Sequence, residues 1–127
     1  MSGTIEGEAR RRVTVQVSDA LVKLLAVRAG HGARSAWTTF GEDVIVCVLE
    51  DLLTTGERNL VEHGERETVL YTRRAFQDMI EAEAVQVVQE ITGRTVTAFM
   101  STNHIDPDLA VEVFVLAPDG NSDGASG

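Results

Sequence analysis

The run Val44-Ile45-Val46-Cys47-Val48-Leu49 narrows the folds open to this chain more than any other stretch. Alternate residues of a strand point to opposite faces, so Val44, Val46 and Val48 share one side and Ile45, Cys47 and Leu49 the other. Both sides are apolar. That is the mark of a central strand covered twice, by helices or by a second subunit. ARSAWTTF precedes the run across Gly41-Glu42-Asp43, and two β-rich runs about a short glycine-containing turn read as a hairpin. RTVTAFMST and LAVEVFVL form a second hairpin around the turn from Asn103 to Asp108. In its last strand Val111, Val113 and Val115 share one face, while Ala110, Phe114 and Leu116 share the other with Glu112.

Helices join the hairpins. EARRRVTVQVSDALVKLLAVRAG supports two readings, because Val13, Val15 and Val17 alternate as in a strand. Over a longer range Val13, Val17, Ala20, Leu24 and Val27 recur as a helical seam, and Gly30 supplies a stop. The longer pattern predicts a helix from about 8 to 29; a later start would make Ser18 its N-cap. A short helix at 55–62 breaks at His63-Gly64. Beyond it Val69, Phe76, Ile80, Ala84, Val87 and Ile91 follow a helical period, closed by Gly93. The predicted order α-β-β-α-α-β-β implies an α+β fold: a single domain with a four-stranded, mainly antiparallel sheet and helices on one face. At 127 residues the chain is expected to hold one domain, residues 7–117, between polar tails at 1–6 and 118–127.

Charge removes several functions. Formal net charge is −9, and from Glu42 to Glu90 twelve acidic residues face four arginines. Such a surface repels nucleic-acid backbones and anionic headgroups. No stretch approaches the roughly 20 apolar residues of a membrane span, and the N-terminus lacks a signal peptide's apolar core. The expectation is a cytoplasmic protein that binds no nucleic acid and reaches a membrane only through a partner. Cys47, alone among valines, reads as a core residue and not as a nucleophile.

LLTTGER, residues 52–58, joins strand to helix. Thr54 and Glu57 have the spacing of a capping box, in which hydroxyl and carboxylate each accept the other residue's backbone N–H. Anion binding at the helix start is the rival reading. Glu57 opposes it, since its carboxylate would hold the positive end of the helix. A phosphate loop would also need more glycines and a lysine, and Lys23 is the sole lysine. Gly30-His31-Gly32 joins helix to strand, the wrong order for a dinucleotide fingerprint, and reads as a C-cap and tight turn. His104, Asp106 and Asp108 lack the further ligands of a metal site. Arg34, Arg73, Arg74 and Arg94 are the candidates for an anion site; Arg73 lies by an apolar stripe, where such a residue snorkels or pairs with a carboxylate.

GHGARSAWTTFGEDVIVCVLEDLLTTGERNL, YTRRAF, ITGRTVTAF and LAVEVFVL resemble the MpsC-like family, small bacterial proteins associated with a sodium-translocating, membrane-potential-generating system. The resemblance spans about residues 8–117. Its most specific pieces are Leu49 with Leu53-Thr54, Glu57 and Leu60, then Arg74 with Phe76, and Thr92-Gly93-Arg94. This chain carries Ala33 and Thr55 where the family tends to have prolines. The resemblance implies an accessory, non-catalytic role linked to cation or bicarbonate transport, and it carries over no catalytic residues.

The expected function is thus a non-enzymatic interaction or regulatory module without cofactor or metal. A homodimer is expected, with a membrane-transporter subunit or other protein as further partner. The alternative is a sensor of a small anion or nucleotide, bound by Arg34, Arg73, Arg74 or Arg94.

Overall fold

A computed structural model describes residues 2–118. The elements are α1 (Ser2–Ala29), β1 (Ser35–Phe40), β2 (Val44–Glu50), α2 (Thr55–Glu62), α3 (Arg66–Thr92), β3 (Val96–His104) and β4 (Leu109–Leu116). The sheet has the order β1-β2-β4-β3, and every neighbouring pair is antiparallel. The two hairpins therefore meet through β2 and β4. Helix α1 lies against β1 and β2, α3 against β3, and the two helices touch each other, so both cover one face of the sheet. The expected α+β architecture is the one found. The tail expected at 118–127 lies outside the described residues except for Pro118.

Three local expectations shift. Helix α1 starts at Ser2, well ahead of residue 8, and takes in the polar opening read as a tail. Once a helix is nucleated each added residue gains a backbone bond, and the glycines at 3 and 7 weaken such a run without breaking it. Its buried stripe is Val17, Ser18, Leu21 and Leu25, while Val27 of the predicted seam is 74% exposed. The helix packs on a sheet and a helix together, so its stripe points between them. In α3 the fully buried positions are Val69, Gln77, Ile80, Ala84 and Val88. Gln77 thus takes the seat assigned to Phe76, and Val88 that of Val87, both of which are half-buried.

The main core lies between the sheet and the two long helices. Ile45, Cys47 and Leu49 of β2 and Phe114 of β4 are wholly buried there with Val17, Leu21 and Val88. Phe99 of β3 tilts against Phe114 with ring centroids 5.0 Å apart. Gly93 ends α3 with φ 71°, a left-handed conformation that a side chain disfavours, and its N–H caps the Gln89 carbonyl. Gly32 is required by space: a Cβ there would stand 3.0 Å from the Val22 carbonyl oxygen.

Candidate functional site

Three features of this fold carry polar or apolar chemistry beyond ordinary core packing. The first is the junction where β2 passes into α2. Thr54 Oγ1 accepts the Glu57 N–H at 3.1 Å, and Glu57 Oε1 accepts the Thr54 N–H at 2.9 Å, a complete capping box. Arg73, from α3, donates to the same Glu57 oxygen at 2.7 Å and to the Leu52 carbonyl. Asp51 adopts φ 57°, which an aspartate tolerates better than most side chains. Its carboxylate meets Arg34 and, at 3.7 Å, Arg58. The hydrogen bond from Arg34 holds the Asp51 carboxyl below its ordinary range. Asp108, from the β3–β4 turn, accepts the Leu53 N–H at 2.8 Å and Arg58 at 3.2 Å. The place where a ligand would bind a helix start is filled by the protein's own carboxylates.

The four candidate arginines are spread along the molecule. Arg34 and Arg73 belong to the junction just described. Arg94 sits at the other end of β2, where it donates to Asp43 and to the Glu42 and Ala117 carbonyls. The ends of this seven-residue strand are about 20 Å apart. Arg74 lines a shallow cleft between α3 and β3 with Gln77, Asp78, Glu81 and Ser101. The structure brings Arg34 and Arg73 to one end of the molecule, each beside its own carboxylate, and leaves Arg74 and Arg94 elsewhere.

The second feature is a polar row inside the core. Register pairs Thr38 with Cys47, Cys47 with Glu112, and Ser101 with Glu112, so one row crosses all four strands on the helix-facing side. Glu112 is 4% exposed, and Gln77 above it on α3 is 5% exposed. Ser101 Oγ donates to Glu112 Oε1 at 2.7 Å, and Gln77 Nε2 reaches Glu112 Oε2 at 3.5 Å. Asn103 Nδ2 donates to Gln77 Oε1 at 2.9 Å. At the far end Ser18 of α1 shares a 2.7 Å hydrogen bond with Thr38. Burial pushes the Glu112 carboxyl up to about 7 against the hydrogen bonds of Ser101 and Gln77. Burial likewise raises the Cys47 thiol to about 11, so it stays neutral. Glu112 was visible in the sequence as the one charge on an apolar strand face. Gln77 was hidden by the apolar Phe76 beside it.

The third feature is the opposite face of the sheet. Its central rows read Trp37-Val48-Val111-Thr102 and Thr39-Val46-Val113-Met100, followed by Val44-Val115-Ala98. None of these residues belongs to a core cluster or packs against one. Trp37 is 49% and Met100 53% exposed. Charge occurs only in the row at one end, Ser35-Glu50-Leu109-His104. Among the described residues, nothing covers this face.

No helix among the described residues is long and apolar enough to cross a membrane. No curated protein and no solved structure matches the chain. A family model described as "Na+-translocating membrane potential-generating system (MpsC)" matches residues 9–118, nearly the whole of the described domain. The chain belongs to the MpsC family.

Proposed function

We propose that this protein is a non-catalytic accessory component of a Na+-translocating membrane system, acting as a homodimer whose two sheets pack face to face. The uncovered apolar face of the sheet carries this reading. Soluble antiparallel sheets with one solvated side alternate apolar with polar residues, and here the water-facing side is built of valines. Apolar patches of this kind mark interaction sites.

A second copy suits the face better than other occupants. A chain of net charge −9 repels its own kind wherever charge is displayed, and the central rows display none. Residues 119–127 hold two aspartates, one asparagine and otherwise glycine, serine and alanine, and so offer little apolar surface. Four strands spaced about 4.8 Å, each about seven residues long, give a flat face of roughly 440 Å². Two such faces supply about 900 Å² before side-chain relief is counted, close to the roughly 1,000 Å² of a small specific interface. Two-fold pairing lets each valine row meet its copy.

Sedimentation tests the pairing. The wild-type chain is expected to be dimeric at micromolar concentration, and Val48→Lys with Val113→Lys to be monomeric with an unchanged far-UV spectrum. A strict wild-type monomer, or a dimer indifferent to both lysines, would count against the face. Affinity purification from membranes tests the accessory role: recovery of transporter subunits supports it, and their absence from the eluate does not.

A further inference from the structure

Glu112 has no part in the pairing just proposed, yet it lies directly beneath it. Strand β4 turns Glu112 toward the helices, while Val111 and Val113 on either side lie on the open face. The carboxyl is sealed from water, and none of the ion pairs among the described residues includes it. An ionised carboxylate draws its donors to about 2.7–2.9 Å. Ser101 is that close, but the Gln77 amide stands at 3.5 Å. Isolated buried charge is strongly unfavourable, so the group must hold a cation. A proton is the one cation that needs no room of its own.

We propose that Glu112 is a buried proton-binding site whose proton favours the pairing of the open sheet faces. The second half rests on the dimer proposed above. A second apolar sheet laid on β4 removes water from the far side of the strand that carries Glu112. The ionised form is then more costly in the pair than in the single chain. By reciprocity, the protonated chain pairs more tightly.

The groups facing Glu112 are few. Helix α3 presents Gln77, with the charges of Arg74, Asp78 and Glu81 around the cleft at Ser101. Strand β3 presents Ser101, and Asn103 through Gln77. Strand β2 presents the neutral Cys47, and α1 presents Ser18 through Thr38. The raised carboxyl, near 7, puts the exchange of this proton within the neutral range.

The test uses the full chain. Carbon-13 titration of the glutamate carboxyls should show one midpoint near neutrality. The wild-type dimer Kd, by sedimentation, should be about fivefold or more higher at about pH 8.5 than at about pH 6. Glu112→Gln should show the same Kd at both. If every glutamate titrates near its ordinary value of about 4.5, the proton site is overturned. A pH slope that survives in Glu112→Gln places the effect on another group and overturns the coupling. A wild-type monomer at both pH values with one neutral midpoint overturns the dimer and the coupling while the proton site stands.

Discussion

The two faces of the sheet are built from the same strands, and they invert the usual pattern. The helix-facing side buries Ile45, Leu49 and Phe114 completely, yet holds the carboxylate of Glu112 in their midst. The open side carries no charge in its central rows, although among the described residues nothing covers it. In a sheet shaped for one layer of helices and one of water, charge would sit outside and be absent within. The inversion teaches that hydrophobic alternation fixes which residues share a face and leaves open what each face meets. An apolar face open to water points to a missing layer. A charge beneath helices points to a group whose protonation matters.

The largest effect should come from comparing adjacent residues of β4. Phe114→Ala removes the largest of the fully buried side chains and should lower stability by about 3–5 kcal/mol in denaturant unfolding. Val113→Ala, facing out one residue earlier, should cost less than about 1 kcal/mol in dilute solution and weaken self-association instead. If Val113→Ala were as damaging as Phe114→Ala at concentrations where the chain is single, the open face would already be covered within one chain. The contrast between the faces would then fail.

Next comes the pH dependence of stability. The Glu112 carboxyl is raised in the fold from its ordinary 4.5 to about 7, so the native state binds this proton more tightly than the unfolded state does. Stability is therefore full below about pH 4.5, falls as pH rises toward 7, and levels off once both states are ionised. The total is on the order of 3 kcal/mol. Asp51 and Glu83 act in the opposite sense, because hydrogen bonds from Arg34 and Arg28 hold them low. Their contribution is lost only as pH falls through the acid range, so it does not overlap the Glu112 effect between about pH 5 and 7.5, and the difference between wild type and Glu112→Gln reads Glu112 there. Glu112→Gln should flatten the profile there. A wild-type profile already flat in that window would mean that the inner charge is not held as described.

Much of the fold was legible in the sequence. The hairpins declared themselves through β-rich runs about short turns, and β2 through its double apolar face. Strand neighbours within each hairpin followed from the chemistry of the turns, since both connections are short, whereas the β2–β4 pairing that joins the hairpins did not. The stripes of the long helices were legible in part: Val17, Val69, Ile80 and Ala84 are buried as the period predicts, while Leu21, Leu25, Gln77 and Val88 take the inward places of their neighbours Ala20, Leu24, Phe76 and Val87. Val27 and Phe76 looked like seam residues because hydrophobicity alone sets the period, whereas α1 and α3 each aim between a sheet and a neighbour. The polar row was not legible as a unit. Thr38, Cys47, Ser101 and Glu112 come from four strands, and only the register aligns them. The arginines were marked by charge, but their carboxylate partners lie up to 51 residues away in the chain.

The smallest effect belongs to the junction, where the chain leaves the sheet for the helical layer. Thr54→Ala removes one half of the capping box and should lower stability by about 1 kcal/mol. Glu57→Ala should cost more, because it also strips Arg73 of its carboxylate and leaves a mostly buried guanidinium without its charge partner. Both residues stand at the start of α2, away from the valine rows, so neither change should alter the dimer Kd. This makes the pair a control on the comparison between faces. Stability lost without association lost is what a purely internal contact predicts, and Val113→Ala should show the reverse. If Thr54→Ala weakened association as strongly as Val113→Ala does, the junction would belong to the interface. The second copy would then have to reach past the open face.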